Sequence, residues 1–472
     1  MKNNTQRQEI DAWFEKEAPR LVEDVKKLIA IKSVRGEPVP GMPYGEGPAA
    51  ALNAAAALLS SYGFTVHNFE NRVITADLND REPALGILAH LDVVAAGEGW
   101  TTDPFTPSVQ DGKIFGRGAA DDKGPAVAAL FALRAARDLA PPLAKGCRLI
   151  LGSAEETGHD DLAHYRRQYK LPPNVFTPDA SYPIVNTEKG RLILSFSDSW
   201  DRDENLPRVV SLTGGTTPNI VPHKAEAVVF GLPLETVTAL CADISIRTGA
   251  PITAEELPDG VCITVHGKAA HAMAPEEGTN AQTALVWLLS ALPLPDSLSF
   301  TSIKALNRLF PHGDTRGVSL GIAASDALSG PLTLNFGCLA LDETGFCANF
   351  DCRMPEEASG GAAENGARRA LEKAGFAVTD AVRTAYHHTP SDGAFVKTLL
   401  RIYEDYTGNK GACLAFGGST YVHDVDGGVA FGCAFPGVDN RLHAHDEFID
   451  IVDLIQSAKM FTQAILDLCK AP

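Results

Sequence analysis

Leu85-Gly-Ile-Leu-Ala-His90-Leu-Asp92-Val-Val94 is an apolar run broken only by two polar groups, and its reading decides the fold. A short apolar run of this kind, flanked by other such runs, reads as a buried strand. Around it, apolar segments at 64–68, 73–78 and 148–152 alternate with helical patterns at 49–62, which Gly63 ends, and at 124–139. That alternation predicts an α/β layered domain, with helices packed against a mainly parallel sheet. Upstream, 10–31 carries apolar residues at helical spacing interrupted by Pro19, which predicts two short helices or one kinked helix.

Further out the texture changes. From about 190, alternating strands are expected at 225–230, 261–266, 332–341 and 345–352, with helices near 233–248, 281–291 and 361–374, an α+β pattern. After about 385 a helix at 392–406, a strand at 428–431 and a long amphipathic helix within 450–468 return to the first texture. An α+β domain inserted into the α/β domain accounts for this order.

Composition narrows the function. The chain has 472 residues, enough for several domains, and Lys plus Arg (41) against Asp plus Glu (59) leaves a net charge of −18. Such a charge repels phosphate backbones and anionic bilayers, so neither nucleic acid nor membrane is an expected partner. The longest uncharged stretch, 47–66, holds Pro48, Asn53, Ser60, Ser61 and Gly63 and suits an ordinary helix. Nine cysteines lie singly, with no Cys-x-x-Cys pair, and the N-terminus lacks the apolar run of an export signal. A cytoplasmic protein is expected.

In α/β domains reactive groups gather beyond the carboxyl ends of the strands. His90 and Asp92, two apart on a strand, share a face, so that Asp92 can fix the imidazole. Alone they would be read as a structural hydrogen-bonded pair. Asp121-Asp122 precede the 124–139 helix, and capping accounts for one of them. Glu155-Glu156 follow the 148–152 strand, where adjacent carboxylates repel unless a cation is near; the bland reading is a solvated acidic turn. Asp179, in Thr177-Pro-Asp179-Ala-Ser-Tyr-Pro183, would ordinarily be an Asx-turn residue. His443-Ala-His445-Asp-Glu447 adds imidazole before the last helix. Together these make a sensible ligand set for two divalent ions serving amide hydrolysis.

In order along the chain, His90-Leu-Asp92-Val-Val, Gly116-Arg-Gly-Ala-Ala-Asp121-Asp-Lys-Gly-Pro125, Glu155-Glu156, Thr177-Pro-Asp179, Glu188-Lys-Gly and His443-x-x-Asp-Glu447 resemble the motifs of the M20 metallopeptidase family, and within it the PepV-type dipeptidases. The resemblance runs from about residue 10 to the C-terminus. It implies a mixed-sheet, zinc-peptidase-like catalytic domain over 1–187 and 385–472, with an inserted α+β lid domain over 188–384. It further implies that His90, Asp121 and Asp179 hold one metal and Asp121, Glu156 and His443 the other, Asp121 bridging across a cis Asp121–Asp122 peptide. Both histidines of the 443–447 turn are open on chemistry; the family spacing selects His443. Glu155 would be the general base that activates water and passes its proton to the leaving amine, with Asp92 orienting His90. Zinc is the expected metal, and manganese and cobalt also suit N and O ligands.

In the lid, Val265-His266-Gly-Lys-Ala-Ala-His271 resembles the segment whose second histidine stabilises the oxyanion. Asn219 and Arg353 match family substrate positions, Arg suiting a planar carboxylate; in isolation they would be a turn residue and a strand-end ion pair. The loop Gly417-Gly418-Ser419-Thr420-Tyr421-Val422-His423 departs from a Gly-Gly-Gly-Thr-Tyr-x-Arg pattern, with Ser419 and Thr420 as candidate substrate contacts. The expected enzyme is a monomeric dipeptidase acting on small unblocked peptides. An N-acyl amino-acid deacylase or succinyl-diaminopimelate desuccinylase-like amidohydrolase shares the chemistry, and a non-catalytic binding protein on the same fold is the reading from another class.

Overall fold

The computed structural model describes residues 2–139 and 143–470. The chain divides into two compact units, one of Met1–Thr187, His388–Leu414 and Ser419–Pro472, the other of Glu188–His387 and Ala415–Gly418. Residues 385–387 and 415–418 thus group with the second unit, beyond the expected 188–384. The short segment is tied there through its main-chain carbonyls: Lys189 N–H donates to Phe416 O at 2.9 Å, and the Arg353 side chain, through Nη1, to Gly417 O at 2.9 Å.

In the first unit the strand Pro83–His90 is buried from Leu85 onward, as expected of a strand covered on both faces. It pairs in parallel with Gly146–Gly152 (His90 opposite Gly152) and with Asn174–Thr177 (Ile87 opposite Phe176). All three strands therefore end at one edge, which brings the segments after them together. Val429–Ala430 extends the parallel set beside Asn174–Thr177. The sheet is mixed, as the family resemblance implied, and not mainly parallel as the strand and helix alternation alone predicted. Val66–Phe69 and Val73–Asp77 form an antiparallel hairpin that joins Gly146–Gly152 antiparallel. The hairpin turns at Glu70 and Asn71, both at positive φ and closed by Arg72 N–H to Phe69 O at 3.0 Å, as in a type I′ turn.

The helix Lys123–Leu139 is buried from Lys123 to Ala136 and packs against the helices Lys2–Ile29 and Ile451–Leu468. Its side chains are apolar nearly all round because it lies inside the unit. Phe131, fully buried, meets Trp13 and Tyr62 edge-on; burial of such a side chain contributes about 1.5–3 kcal/mol. Lys2–Ile29 is one helix with Pro19 inside it. Its buried Ile10, Phe14, Leu21, Val25, Leu28 and Ile29 lie on both sides of the proline, so the same core grips both halves.

The second unit is α+β. Its eight-stranded sheet runs Ile252–Leu257, Gly260–His266, Lys224–Phe230, Arg208–Gly214, Thr333–Asp342, Gly345–Met354, Gly190–Ser199, Ala377–Thr384, each neighbour antiparallel. Gly190–Ser199 alternates buried and half-buried residues, so Leu192, Leu194 and Phe196 face the core. There Phe310 stacks on Phe336 with centroids 4.4 Å apart. The helix Leu298–Leu309, not read from the sequence, is capped by Ser297, whose Oγ accepts from Phe300 N–H at 3.1 Å. Among the described residues no helix is long and apolar enough to cross a membrane.

Candidate metal centre

The common edge of the parallel strands gathers the acids. His90 ends its strand wholly buried, with Nε2 3.0 Å from Asp121 Oδ1 and 3.5 Å from Asp179 Oδ2. The other oxygen of Asp121, Oδ2, lies 2.9 Å from His443 Nε2, which is 3.2 Å from Glu156 Oε1. Asp121 thus turns one carboxylate oxygen toward each imidazole. Ligand atoms of His90, Asp121 and Glu156 all lie within 4.8 Å of one another, as do those of His90, Glu155 and Asp179. The Asp121–Asp122 peptide is cis.

Electrostatics mark the cluster as short of positive charge. Burial, and then the charge of Asp121, push Glu156 up to about 7 and Asp179 well above the carboxylate range. Burial does the same to Asp122. Asp121 differs: burial opposes its charge, but the imidazoles of His443 and His90 beside it hold it below the usual range. Burial likewise opposes the charge on His443, yet Asp121 and Glu156 raise it to about 11. Two imidazoles cannot neutralise this many carboxylates. His90 Nε2, between two carboxylate oxygens, and Asp122 Oδ1 are buried without hydrogen bonds. An unpartnered imidazole nitrogen among such oxygens is the donor chemistry of a divalent metal site.

The surrounding bonds hold these groups in place. Asp92 was expected to fix His90 through its carboxylate; His90 Nδ1 instead hydrogen-bonds the Asp92 main-chain carbonyl at 3.0 Å, with the nearer carboxylate oxygen at 3.5 Å. That carboxylate accepts from Glu155 N–H at 3.2 Å and Glu156 N–H at 3.1 Å, one oxygen each. Asp122 supports from behind: its Oδ2 accepts the main-chain N–H of His90 at 3.0 Å. Glu447, quoted within a motif but given no role, accepts from Arg117 Nη1 at 2.7 Å and from the N–H groups of Gly118, Ala120 and Asp121 at 2.9–3.1 Å. It fixes the turn that presents Asp121. His445 packs against Gly99, so of the two histidines only His443 reaches Asp121 and Glu156.

Sequence reading missed His159 and Asp424. His159 Nε2 lies 3.2 Å from Glu155 Oε1 and its Nδ1 2.9 Å from Asp424 Oδ2. Burial works against its charge, but Asp424 and Glu155 raise it to about 10. The position of His159 four residues after Glu155 was the available signal. Thr420 is buried and accepts His423 N–H at 2.9 Å, Ser419 is half-buried, and the next residue, Tyr421, lies edge-on to His90.

The second unit brings its own candidates into one neighbourhood. Ala272 N–H donates to Asn219 O at 2.9 Å, and Ile220 forms a β-bridge with His271, which is exposed. Thr333, opposite Arg353 in the sheet, donates from Oγ1 to Ala272 O at 3.0 Å. Arg353 is buried and already paired: Nε and Nη2 donate to Asp351 at 2.7 and 3.2 Å and Nη1 to Gly417 O. Three of its five N–H donors are so used.

Residues 86–467 match the family model described as peptidase family M20/M25/M40. The Bacillus subtilis (strain 168) protein YtjP, a candidate dipeptidase, is 35% identical over 456 residues, 95% of this chain and 97% of that protein. A candidate dipeptidase of Staphylococcus haemolyticus (strain JCSC1435) is 29% identical over 459 residues, 95% of this chain and 97% of its own length. Human carnosine dipeptidase 1 shares the fold with a TM-score of 0.59 at 15% identity, over 98% of this chain and 99% of that one. The Saccharomyces cerevisiae dipeptidase Dug1p does so with a TM-score of 0.58 at 13% identity, over 99% of each chain. Such distant likenesses speak for the fold alone, but the family match runs from the strand that carries His90 into the last helix. The chain belongs to peptidase family M20/M25/M40.

Proposed function

We propose that this chain hydrolyses the amide bond of dipeptides with a free carboxylate. The observation that carries the reading is Asp121, with one carboxylate oxygen toward His90 and the other toward His443. His90, Asp121 and Asp179 would hold one divalent ion and Asp121, Glu156 and His443 a second, zinc first, with manganese and cobalt as alternatives. Such ions, when bound, polarise the scissile carbonyl and ease deprotonation of water. Glu155 takes the proton from water and delivers it to the leaving amine nitrogen. Asp92 fixes the main chain that carries Glu155 and Glu156 by accepting both of their N–H groups. Asn219, His271, Ser419 and Thr420 would contact the substrate, His271 by donating to the oxyanion. The unused donors of Arg353 would take its carboxylate, in an orientation set by Asp351. The nine unpaired cysteines suit a reducing cytoplasm, and we propose that the enzyme acts as a monomer, which light scattering tests.

The deciding experiment is a panel of dipeptides and their N-acylated analogues, assayed after chelation and add-back of single metals. Metal-dependent cleavage of free dipeptides is expected. Preference for the N-acyl compounds would make the enzyme a deacylase, and turnover of neither would make it a binding protein.

Two substitutions probe single assignments. His443→Ala should lower the metal retained on dialysis, whereas His445→Ala should leave it near the parent level; the reverse order would overturn the choice of His443. Arg353→Lys keeps a cation but loses the planar fork. It should raise KM for free dipeptides by roughly 10- to 100-fold, the span of about 1.5–3 kcal/mol for hydrogen bonds to charged groups. It should leave C-terminally amidated dipeptides little changed, and equal losses on both would remove Arg353 from carboxylate recognition.

A further inference from the structure

We infer that His159 and Asp424 are a positioning pair for Glu155, holding its carboxylate through the two nitrogens of one imidazole. The inference rests on the reading of Glu155 as the general base. Gly158 and His159 both adopt left-handed backbone, with φ of 113° and 61°. This turns the chain back just before the helix Asp160–Arg166 and lays the ring over the carboxylate four residues upstream. A non-glycine residue at positive φ costs energy, and such conformations persist where the surroundings over-determine them. Here they do. The ring contacts Glu155 at one nitrogen and Asp424 at the other, and Tyr421 packs on it with centroids 5.3 Å apart. Tyr421 is itself held by its hydroxyl bond to Asp161, whose carboxylate also accepts from Ser153 and Ala154 N–H. With a carboxylate oxygen at each nitrogen, the ring donates at both ends. A base anchored this way has one of its oxygens, Oε1, tied to His159 and the other left for water, and the catalytic cost of misplacing a reacting group is large.

The two ends of the ring can be tested separately, because Gln places its amide nitrogen near the position of Nε2 and Asn near that of Nδ1. In the metal-loaded enzyme, His159→Gln keeps a donor toward Glu155 and should hold kcat within about threefold of the parent, while His159→Asn should lose on the order of 10- to 100-fold. KM and bound metal should be unchanged in both. Asp424→Asn should lower kcat in the parent and add nothing in the His159→Asn background. Equal kcat for the Gln and Asn variants, or additive effects of Asp424→Asn, would overturn the pairing, as would losses that follow metal content or melting temperature. Glu155→Gln, run alongside, separates the two failures: full turnover there removes the general base itself, whereas an inactive Glu155→Gln beside equal His159 variants removes only the positioning role.

Discussion

Asp121→Asn is expected to reduce turnover to background and to cut the metal retained after dialysis, because one side chain serves both halves of the cluster. Its Oδ1 lies 3.0 Å from His90 Nε2 and its Oδ2 2.9 Å from His443 Nε2. The amide matches the carboxylate in size but presents one acceptor oxygen in place of two and carries no charge. No other acid in the cluster can substitute. Glu156 makes its close imidazole contact with His443 and Asp179 with His90, whereas Asp121 makes one with each. The main chain should still fold, since Glu447 and Arg117 hold the turn through the N–H of residue 121 and its neighbours, which the substitution keeps. Metal content measured on folded, dialysed protein is therefore the decisive readout. Two equivalents of metal with parental turnover would exclude a bridging role for Asp121.

The parts of this site that could be read in advance are those whose local chemistry is unfavourable without a ligand. Paired acids at Glu155-Glu156 and Asp121-Asp122 each lie at the end of an element, and the first pair has no Lys or Arg beside it in the sequence. The burial of His90 followed from its place at the end of an apolar strand. The choice of His443 over His445 had no such local signal and rested on resemblance alone. It comes from a turn in which Arg441, His443 and Asp446 all take positive φ, a conformation that residue types there do not announce. Asp92 was placed correctly beside His90, but nothing local showed that its carboxylate also accepts the N–H groups of Glu155 and Glu156. His159 and Asp424 are 265 residues apart, and nothing local links a lone histidine to a lone aspartate at that distance. The fold shows the same division. Periodicity located the long elements, whereas the antiparallel flank of the first sheet depends on a hairpin turn at Glu70-Asn71 that lacks glycine. The helix Leu298–Leu309 went unread despite Ser297 at its cap and apolar residues at 300, 303, 306 and 309.

Glu155→Gln should leave metal content and substrate binding intact and lower kcat on the order of 10²- to 10⁴-fold, the usual contribution of a positioned general base. The distinction from Glu156 rests on what each acid faces. Glu156 Oε1 lies against His443 Nε2, whereas Glu155 Oε1 lies against His159, away from that imidazole. Asp92 holds the main chain of both acids by accepting one N–H at each of its oxygens, and from that fixed segment the two side chains reach different imidazoles. The glutamine keeps the shape of Glu155 and its N–H to Asp92 but has no lone pair basic enough to accept a proton from water. Glu156→Gln should behave in the opposite way, losing metal first and activity as a consequence, with activity restored in part by excess metal. Because the ligand atoms of Glu155 also lie near His90 and Asp179, the alternative is explicit: metal lost from Glu155→Gln and retained in Glu156→Gln would make Glu155 a ligand and Glu156 the base. Measured on the same dialysed preparations, the two variants decide which acid moves the proton.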